Sequence, residues 1–474
     1  PAGYAAPPPP AFVGDHTVTI RFPVMSRPHR PARRTGMCRI VGAVACAAPL
    51  FPTHASAQVL SQYFPEIGRG VGETWVDSEQ IRISREFQPQ GLHLGGFKLN
   101  GDLNEGVGYI DNANRLPGGG QSAIISTVAQ VGLISDWSVD RLYANASVSD
   151  LRYPSEGSQN QTTWTAAIGG YHDIANDRLG FDYSHLNLVQ TPNTLGSFAT
   201  IQPVKYQVDR AALSYTVARD GRFSLIPEGN ITNFSFDQGA RLPSAIGIAV
   251  PQTYRNRAVI LESLTGRYHW TEAASALIML RGTEIRYTHG LAGYPGRDSN
   301  GLALMAGIDY SAIHLIDLRV LAGYQRRFYR NAAYPDYGTP IVEAQASWAP
   351  SRLTRLQLDV QHGIEDSAFE NVAGFTYTNL QLGISHQYQR DIILSGHFTF
   401  QKGEYQNTPT HLVGSILTQA GGDQTIFGGG LSAQWLMNRH LRLNLNYDIS
   451  NQNVLGTTGK FTVNTVMIRV DVNL

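Results

Sequence analysis

From Leu441 to Ile449 the chain alternates strictly between apolar and polar residues. The odd-numbered positions carry leucine, tyrosine or isoleucine, and the even-numbered positions carry arginine, asparagine or aspartate. A period of two predicts a β-strand with one apolar face and one polar face. The apolar face needs either a protein core or a lipid bilayer, and the rest of the chain decides between these environments.

The same alternation recurs in about eighteen strand-like runs between residue 92 and the C-terminus, each roughly 9 to 14 residues long. Strands of globular proteins are usually about 5 to 6 residues long, whereas tilted membrane-spanning strands need about 9 to 11. Strand length therefore favours lipid. The clearest runs are Ser122–Ile134, Asp140–Leu151, Arg178–Leu188, Gln207–Val217, Gly301–Ser311, Leu315–Phe328, Leu353–His362, Thr378–Tyr388, Ile392–Gln401, Ile426–Leu436, Leu441–Ile449 and Phe461–Leu474.

The connections between these runs alternate between short and long. Short turns such as Thr271–Ala274 and Met437–Arg439 are followed by long loops such as His289–Asn300 and Asn451–Gly459. This order is typical of outer-membrane barrels, which have periplasmic turns at one rim and extracellular loops at the other. The sequence therefore predicts an all-β, antiparallel, up-and-down transmembrane barrel of about eighteen strands, with sixteen as the alternative.

The N-terminal part has the three regions of a secretory signal: basic residues from Arg27 to Arg34, an apolar run from Ile40 to Phe51, and a small-residue cleavage site at Ala55–Ala57. We predict cleavage after Ala57 and a start at Met25, so that residues 1–57 comprise upstream read-through and a signal peptide. Cys38 and Cys46, the two cysteines of the chain, fall in this part. The mature chain is therefore expected to lack cysteine metal sites and cysteine nucleophiles.

Composition narrows the classes of function. The 474 residues carry a formal net charge of +0, and 42% of them are hydrophobic, which argues against disorder and against a nucleic-acid partner. No window after Gln58 has the roughly 18 apolar residues of a transmembrane helix, so a membrane would be crossed by strands. We assign residues 58–91 to a periplasmic N-terminal extension and residues 92–474 to the barrel.

Alternation assigns a set of charged residues to the inside of the barrel. Barrels of about eighteen strands leave an aqueous channel, so these residues are candidates for lining it. They would form a solvated wall, an ion-pair network or a selectivity lining. The candidates are Arg210, Glu228, Asp317, Arg319, Arg327, Glu343, Arg355, Asp359, Arg442, Asp448, Arg469 and Asp471.

The long loops hold two further candidate features. Tyr334, Tyr337, Phe369 and Phe375 are candidates for stacking on sugar rings, with packing inside the loops as the alternative. The connection Gln238–Tyr254 is partly apolar and is the best candidate for a plug.

An outer-membrane enzyme is the rival class of function. Such an enzyme needs a nucleophile beside a base, but Ser184 and His185 are neighbours in one strand and therefore point to opposite faces. The chain contains no Gly-x-Ser-x-Gly, His-Glu-x-x-His or phosphate-loop motif. We therefore predict no catalytic residues, no metal and no cofactor.

Several short motifs carry a family resemblance. They are Arg85–Gly91 followed by Gly95–Phe97, Tyr109–Asn112, Ser135–Ser138 and Trp348–Thr354. From about Arg85 onward the chain resembles the beta-barrel porin 2 family, which is found near exopolysaccharide and capsule gene clusters. The resemblance implies a bacterial outer-membrane barrel with a role in polysaccharide secretion, and it brings no catalytic residues with it.

The sequence thus predicts a porin-like channel that exports an exopolysaccharide across the outer membrane. A general diffusion porin for small hydrophilic solutes and a structural or assembly barrel are the alternatives. The expected partners are outer-membrane lipid, a polysaccharide in the lumen, and periplasmic secretion or synthase components.

Overall fold

Alternating sequence produces long strands throughout the computed structural model, which describes residues 64, 66–71, 85–192, 194–197, 200–237, 239–241, 249–290, 294–312, 315–369, 372, 374–405, 422–453 and 459–474. Three 3-10 helices lie at Arg85–Phe87, Gly157–Gln159 and Thr253–Arg255. The strands are β1 (Leu92–Leu94), β2 (Phe97–Ile110), β3 (Ser122–Ser135), β4 (Arg141–Arg152), β5 (Gln161–Ile174), β6 (Asp177–Gln190), β7 (Val204–Thr216), β8 (Phe223–Phe236), β9 (Ala240–Arg241), β10 (Ala249–Val250), β11 (Arg257–His269), β12 (Ala274–Tyr287), β13 (Ser299–Ala312), β14 (Ile316–Tyr329), β15 (Tyr337–Ser351), β16 (Thr354–Asp366), β17 (Gly374–Gln387), β18 (Ile392–Tyr405), β19 (Gly422–Leu436), β20 (Leu441–Asn453) and β21 (Lys460–Asn473).

Eighteen of these strands, β2–β8 and β11–β21, form one closed antiparallel sheet. Each pairs with the next along the chain, β8 pairs with β11, and β21 returns to β2 with Ile468 opposite Val107. Closure leaves this sheet without a free edge. The predicted barrel of eighteen strands is confirmed, and the alternative of sixteen strands is wrong.

Connections at the two rims differ in length, as the sequence predicts. The short rim includes 175–176 and 352–353, and the long rim includes 237–256 and 406–421. In outer-membrane barrels the short turns face the periplasm. The first residue of β2 and the last of β21 both lie at this rim.

The outer surface of the barrel is apolar. Leu304 in β13 is 59% exposed, and its cross-strand neighbours Leu280 and Tyr324 are also exposed. Near the short turns, exposed aromatic rings form a belt of the kind that lies between hydrocarbon and water. These rings are Trp137, Trp270, Trp348, Tyr388 and Trp435. Within the described residues, no helix is long and apolar enough to cross a membrane.

The inner surface is polar in the middle and apolar in patches near the ends. One apolar cluster lies on the side of the long loops and includes Leu186, Tyr206, Phe375 and Tyr405. A smaller cluster around Leu277, Met279, Met305 and Leu321 lies closer to the short turns. The predicted signal peptide and the start at Met25 lie outside the described residues and stay predictions.

A charge placed on the lipid face tests the assignment of the two faces. We expect Leu304→Arg to lower the free energy of unfolding by about 2–4 kcal/mol, because an arginine near the bilayer midplane loses its hydration. Urea unfolding in lipid vesicles measures this change. Gln381→Arg is the matched control, because Gln381 lies on the inner face beside Asp359. Equal losses for both variants would contradict the assignment.

Candidate functional site

The twelve charged residues predicted to line the lumen all lie on the inner face. Eight of them are buried and four are half-buried, whereas the apolar residues that alternate with them face the outside and are half-buried or exposed. In β20, for example, Asn444 is 6% exposed and Leu445 is 50% exposed. The polar face of the Leu441–Ile449 strand therefore points into the barrel.

In the periplasmic half of the lumen, charged residues pair across strands. Arg281 donates to both carboxylate oxygens of Glu343, at 2.6 and 3.0 Å. Arg210 lies 3.4 Å from Asp182, and Arg319 lies 3.7 Å from Asp309. Buried charges persist when they are paired in this way, because an unpaired ion would lose its hydration without compensation.

A piece of the N-terminal region lies inside this half of the lumen. We call it the lumenal segment, defined as Phe64 and Glu66–Val71. Its backbone N–H groups at Gly68 and Val71 donate to Glu228 Oε2 and to Ser214 Oγ, each at 2.8 Å. The periplasmic location of residues 58–91 stays a prediction, and the seven described residues of the lumenal segment lie inside the barrel.

Three further contacts hold the lumenal segment in place. Arg319 of β14 donates to the carbonyl oxygen of Ile67 at 3.1 Å. The guanidinium of Arg210 in β7 lies 4.7 Å from the centre of the Phe64 ring. Arg69 pairs with Glu66 within the segment at 2.6 Å. The segment is therefore fastened to β7 and β8 on one side and to β14 on the other.

Two glycines allow the lumenal segment to fit against the wall. Gly68 has a φ of +79° and Gly70 has a φ of +86°, which is a region that favours glycine. A Cβ atom on Gly68 would lie 2.1 Å from Met279 Cε, and one on Gly70 would lie 2.8 Å from Thr216 Oγ1. A side chain at Gly68 would also lie 2.5 Å from Thr265 Oγ1 through its Cβ atom, so it would push the segment off the wall.

A second closure lies toward the extracellular rim. The connection 191–203 reaches from the end of β6 across to β19, where the Gly196 N–H donates to Gln424 Oε1 at 2.9 Å. It also meets the connection 367–373, because the Ala368 N–H donates to the Gly196 carbonyl at 3.2 Å. We call the described residues of these two connections, with Tyr254 and Arg297, the loop layer.

Arg297 organises the loop layer. Its Nη1 donates to the carbonyl oxygens of Ser367 at 2.9 Å and Phe369 at 3.2 Å, and its Nη2 donates to that of Tyr254 at 3.3 Å. The Tyr254 hydroxyl in turn donates to the carbonyl of Ala368. One buried side chain thus joins three connections.

Arg255 anchors the same region to the wall. It donates to Gln190 Oε1 at 2.7 Å and lies 3.9 Å from the centre of the Phe236 ring. Burial lowers the pKa of Arg255 to about 10, so the side chain stays charged at neutral pH. A cavity of about 40 Å³ beside Arg255 has room for about one water molecule. It is too small for a sugar ring.

The four aromatic candidates for sugar contact pack against other rings. Phe369 and Phe375 surround Tyr405, with ring centres 6.0 and 4.8 Å away. Tyr334 and Tyr337 lie 5.7 and 6.3 Å from the ring of Tyr329. Phe369, Phe375 and Tyr334 are buried, and burial raises the pKa of Tyr334 to about 12. This packing matches the alternative of loop structure, and sugar contact by these rings stays a prediction.

The remaining lumenal candidates form local pairs rather than one ring. Arg327 lies 2.7 Å from Asp366, which also meets Arg257 at 2.9 Å. Asp448 lies 3.6 Å from His397. Asp471 accepts hydrogen bonds from Asn104 and Asn444, and Arg355 donates to Ser347 Oγ at 2.9 Å. Asp317 accepts from Ser311. Among these contacts, the one that joins Arg327, Asp366 and Arg257 is an ion-pair cluster, and the lining role of the candidates stays a prediction.

Sequence reasoning missed both closures. Eight of the seventeen residues of the predicted plug, Gln238–Tyr254, lie outside the described residues, whereas Tyr254 belongs to the loop layer. One signal in the sequence was Leu195–Gly196, an apolar residue next to a glycine. In the structure Gly196 has a φ of +80° and lies against the ring of Phe375. A second signal was the Gly-x-Gly at residues 68–70.

The side chains that could carry catalysis are held apart. Ser184 donates to Asp182, whereas His185 contacts Asp209 at 2.7 Å and the Trp164 ring on the other face of β6. Among the residues that the structure describes, no group of three or more histidine, cysteine, aspartate or glutamate side chains has the geometry to hold a metal ion.

Removal of the Arg297 side chain tests the loop layer. We expect Arg297→Ala to speed hydrogen exchange at the Gly196 and Ala368 amides by about tenfold or more, because the loss of charged hydrogen bonds costs about 1.5–3 kcal/mol. Exchange measured by mass spectrometry reads out both amides. Arg330→Ala is the matched control, because Arg330 makes a 3.8 Å exposed pair with Glu284 at the same rim. Unchanged exchange in Arg297→Ala would contradict this role.

The fold has counterparts among solved structures. It is similar to the FrpB iron transporter of Neisseria meningitidis (F5-1 variant), with 10% identity and a TM-score of 0.42 over 86% of this chain and 87% of that chain. It is also similar to OpdL of Pseudomonas aeruginosa, with 11% identity and a TM-score of 0.39 over 80% and 99% of the two chains. OccK2 (OpdF) of the same organism, in complex with glucuronate, gives 13% identity and a TM-score of 0.41 over 81% and 100%.

Comparison with curated proteins gave no match. A family model described as "Putative beta-barrel porin 2" matches residues 85–474, which are most of the chain and include the whole closed barrel. The family resemblance stated from the sequence motifs is thereby confirmed. The chain belongs to this family of porin-like channels of the bacterial outer membrane.

Proposed function

We propose that this protein is a gated outer-membrane channel through which an exopolysaccharide leaves the cell. The proposal rests on one observation, which is that two groups of chain segments are held inside the barrel. Both the lumenal segment and the loop layer are chain segments held by hydrogen bonds, and neither is part of the barrel wall. A wall of eighteen strands cleared of these segments encloses an aqueous channel.

The lumen suits a hydrophilic solute. Its inner face carries arginine, aspartate, asparagine and glutamine, several of them fixed by hydrogen bonds to each other. Hydroxyl groups both donate and accept hydrogen bonds, so a sugar chain matches such a wall. The choice of polysaccharide over other hydrophilic solutes rests on the family resemblance.

The location of the lumenal segment favours control from the periplasm. Its contacts lie near the short turns, at Ser214 in β7, Glu228 in β8 and Arg319 in β14. A periplasmic secretion or synthase component that engages the N-terminal region would withdraw the segment. Transport itself would be passive diffusion through the cleared lumen.

Conductance tests the channel. In planar bilayers we expect the full chain to conduct in rare openings. We expect Arg297→Ala to raise the open fraction about tenfold, because a closed state that is destabilised by about 1.4 kcal/mol shifts the ratio of open to closed channels by that factor. Arg330→Ala again serves as the control. An identical open fraction in Arg297→Ala and in the control would contradict gating by the loop layer.

Deletion of the gene tests the solute. We expect the deletion strain to lose secreted polysaccharide and to retain it inside the cell, with secretion restored by the intact gene. Unchanged secretion together with conductance of the pure protein would instead assign a general diffusion porin. Unchanged secretion without conductance would favour a structural or assembly barrel.

A further inference from the structure

We propose that the wall residues around the lumenal segment form a binding site for an uncharged, hydroxyl-rich solute, and that the segment occupies this site as a built-in competitor. The inference rests on the proposed channel function and names the site at which the solute would first be held. Its core is Ser214, Glu228 and Arg319, with Arg210 beside them.

The wall here offers paired charges. Arg210 faces Asp182, Arg281 holds Glu343 with two hydrogen bonds, and Arg319 faces Asp309. An anionic polymer could bind one of these arginines only by breaking its pair with a carboxylate. That carboxylate would then be buried without a partner of opposite charge. The charge balance therefore favours a neutral ligand.

Three of the contacts that hold the lumenal segment are contacts that a sugar could make. Both hydrogen bonds to Glu228 and Ser214 come from neutral N–H donors, and the bond from Arg319 ends on a neutral carbonyl acceptor. The segment also places Arg69 3.9 Å from Asp309, but Arg69 pairs with Glu66 of the same segment at 2.6 Å, so this pair adds no net charge. Hydroxyl groups supply the same kinds of donor and acceptor as the backbone groups.

A further contact involves the planar guanidinium of Arg210, which lies against the ring of Phe64. When the segment leaves, this face of Arg210 becomes open to the lumen. A sugar has no aromatic face, so it would replace this contact with hydroxyl groups that accept hydrogen bonds from the guanidinium N–H groups.

The position of the segment forces competition. Gly68 lies in contact distance of Thr265 in β11 and Met279 in β12, while Arg319 reaches the segment from β14. The segment therefore bridges several strands of the inner wall within the path of a solute. Ligand and segment cannot occupy these positions together.

Displacement of the segment should strengthen sugar binding. Gly68→Val places a branched side chain at a φ of +79°, where a Cβ atom would lie 2.5 Å from Oγ1 of the short, buried Thr265 side chain as well as close to the flexible end of Met279, so we expect it to expel the segment. Gly118→Val is the matched control, because Gly118 has a similar φ of +75° and open space around it. It carries the same backbone strain without the clash at the wall.

The measurement is calorimetric titration of the full chain in detergent micelles with a neutral glucose hexasaccharide. We expect the dissociation constant for Gly68→Val to be about tenfold or more below that of the parent and of Gly118→Val, because an occluded site binds in proportion to the open fraction. A galacturonic acid hexasaccharide should show no such gain. An equal gain for both sugars, or none for either, would overturn the neutral site.

A disulfide lock provides the reverse experiment. A Cβ atom on Gly70 would lie 2.8 Å from Thr216 Oγ1, which is close enough for a disulfide, and Thr216 is outside the core of the site. In a background with Cys38→Ser and Cys46→Ser, we expect oxidised Gly70→Cys/Thr216→Cys to bind no hexasaccharide and the reduced protein to bind it. Binding that is unaffected by oxidation would overturn competition by the segment even if Gly68→Val did not fold.

The outcomes separate this inference from the proposed function. Raised salt conductance of Gly68→Val with unchanged hexasaccharide binding would leave the channel in place and remove the site. Tighter binding by Gly68→Val, with polysaccharide secretion unaffected by gene deletion, would keep the site and remove polysaccharide export as the function.

Discussion

Every backbone N–H and C=O group inside a bilayer must find its partner within the protein, and the rest of this structure depends on that requirement. The chain meets it by closing β21 onto β2, so that no strand of the eighteen-stranded sheet has an open edge. Because side chains alternate along every strand, closure also divides them into a lipid-facing set and a lumenal set. The apolar surface around Leu304 and the charged surface around Arg319 are therefore two consequences of one hydrogen-bond pattern.

The lumenal set has a different task from the lipid-facing set, because an eighteen-stranded wall encloses more space than its own side chains fill. Part of that space is occupied by chain from outside the wall. The loop layer crosses it near the extracellular rim, where Gly196 donates to Gln424 and Arg297 joins three connections, and the lumenal segment lies against the wall in the periplasmic half through Gly68 and Val71. Both closures rely on backbone groups that donate to, or accept from, fixed side chains. Such contacts are released without breaking the barrel, which is why the proposed gating requires no change in the strands.

The same contacts connect gating with recognition. A segment that satisfies Glu228, Ser214 and Arg319 with neutral peptide groups occupies the position of a ligand that brings neutral hydroxyl groups. The surrounding arginine–carboxylate pairs keep the local charge balanced, which disfavours a strongly anionic solute. In the proposed arrangement, the residues that hold the lumenal segment would also select the solute.

The sequence by itself determined the barrel, its strand number, and the side of the wall on which Arg210, Glu228, Arg319 and the other charged candidates lie. These features follow from local rules, since a period of two and the order of short and long connections are properties of neighbouring residues. Only the tertiary structure decided which charges pair, that the loop from β6 reaches Gln424 of β19, and that Phe64 and Glu66–Val71 enter the lumen. Those contacts join residues up to 252 positions apart. No periodicity encodes them, because they depend on how a closed wall brings distant loops and an N-terminal segment into one enclosed space.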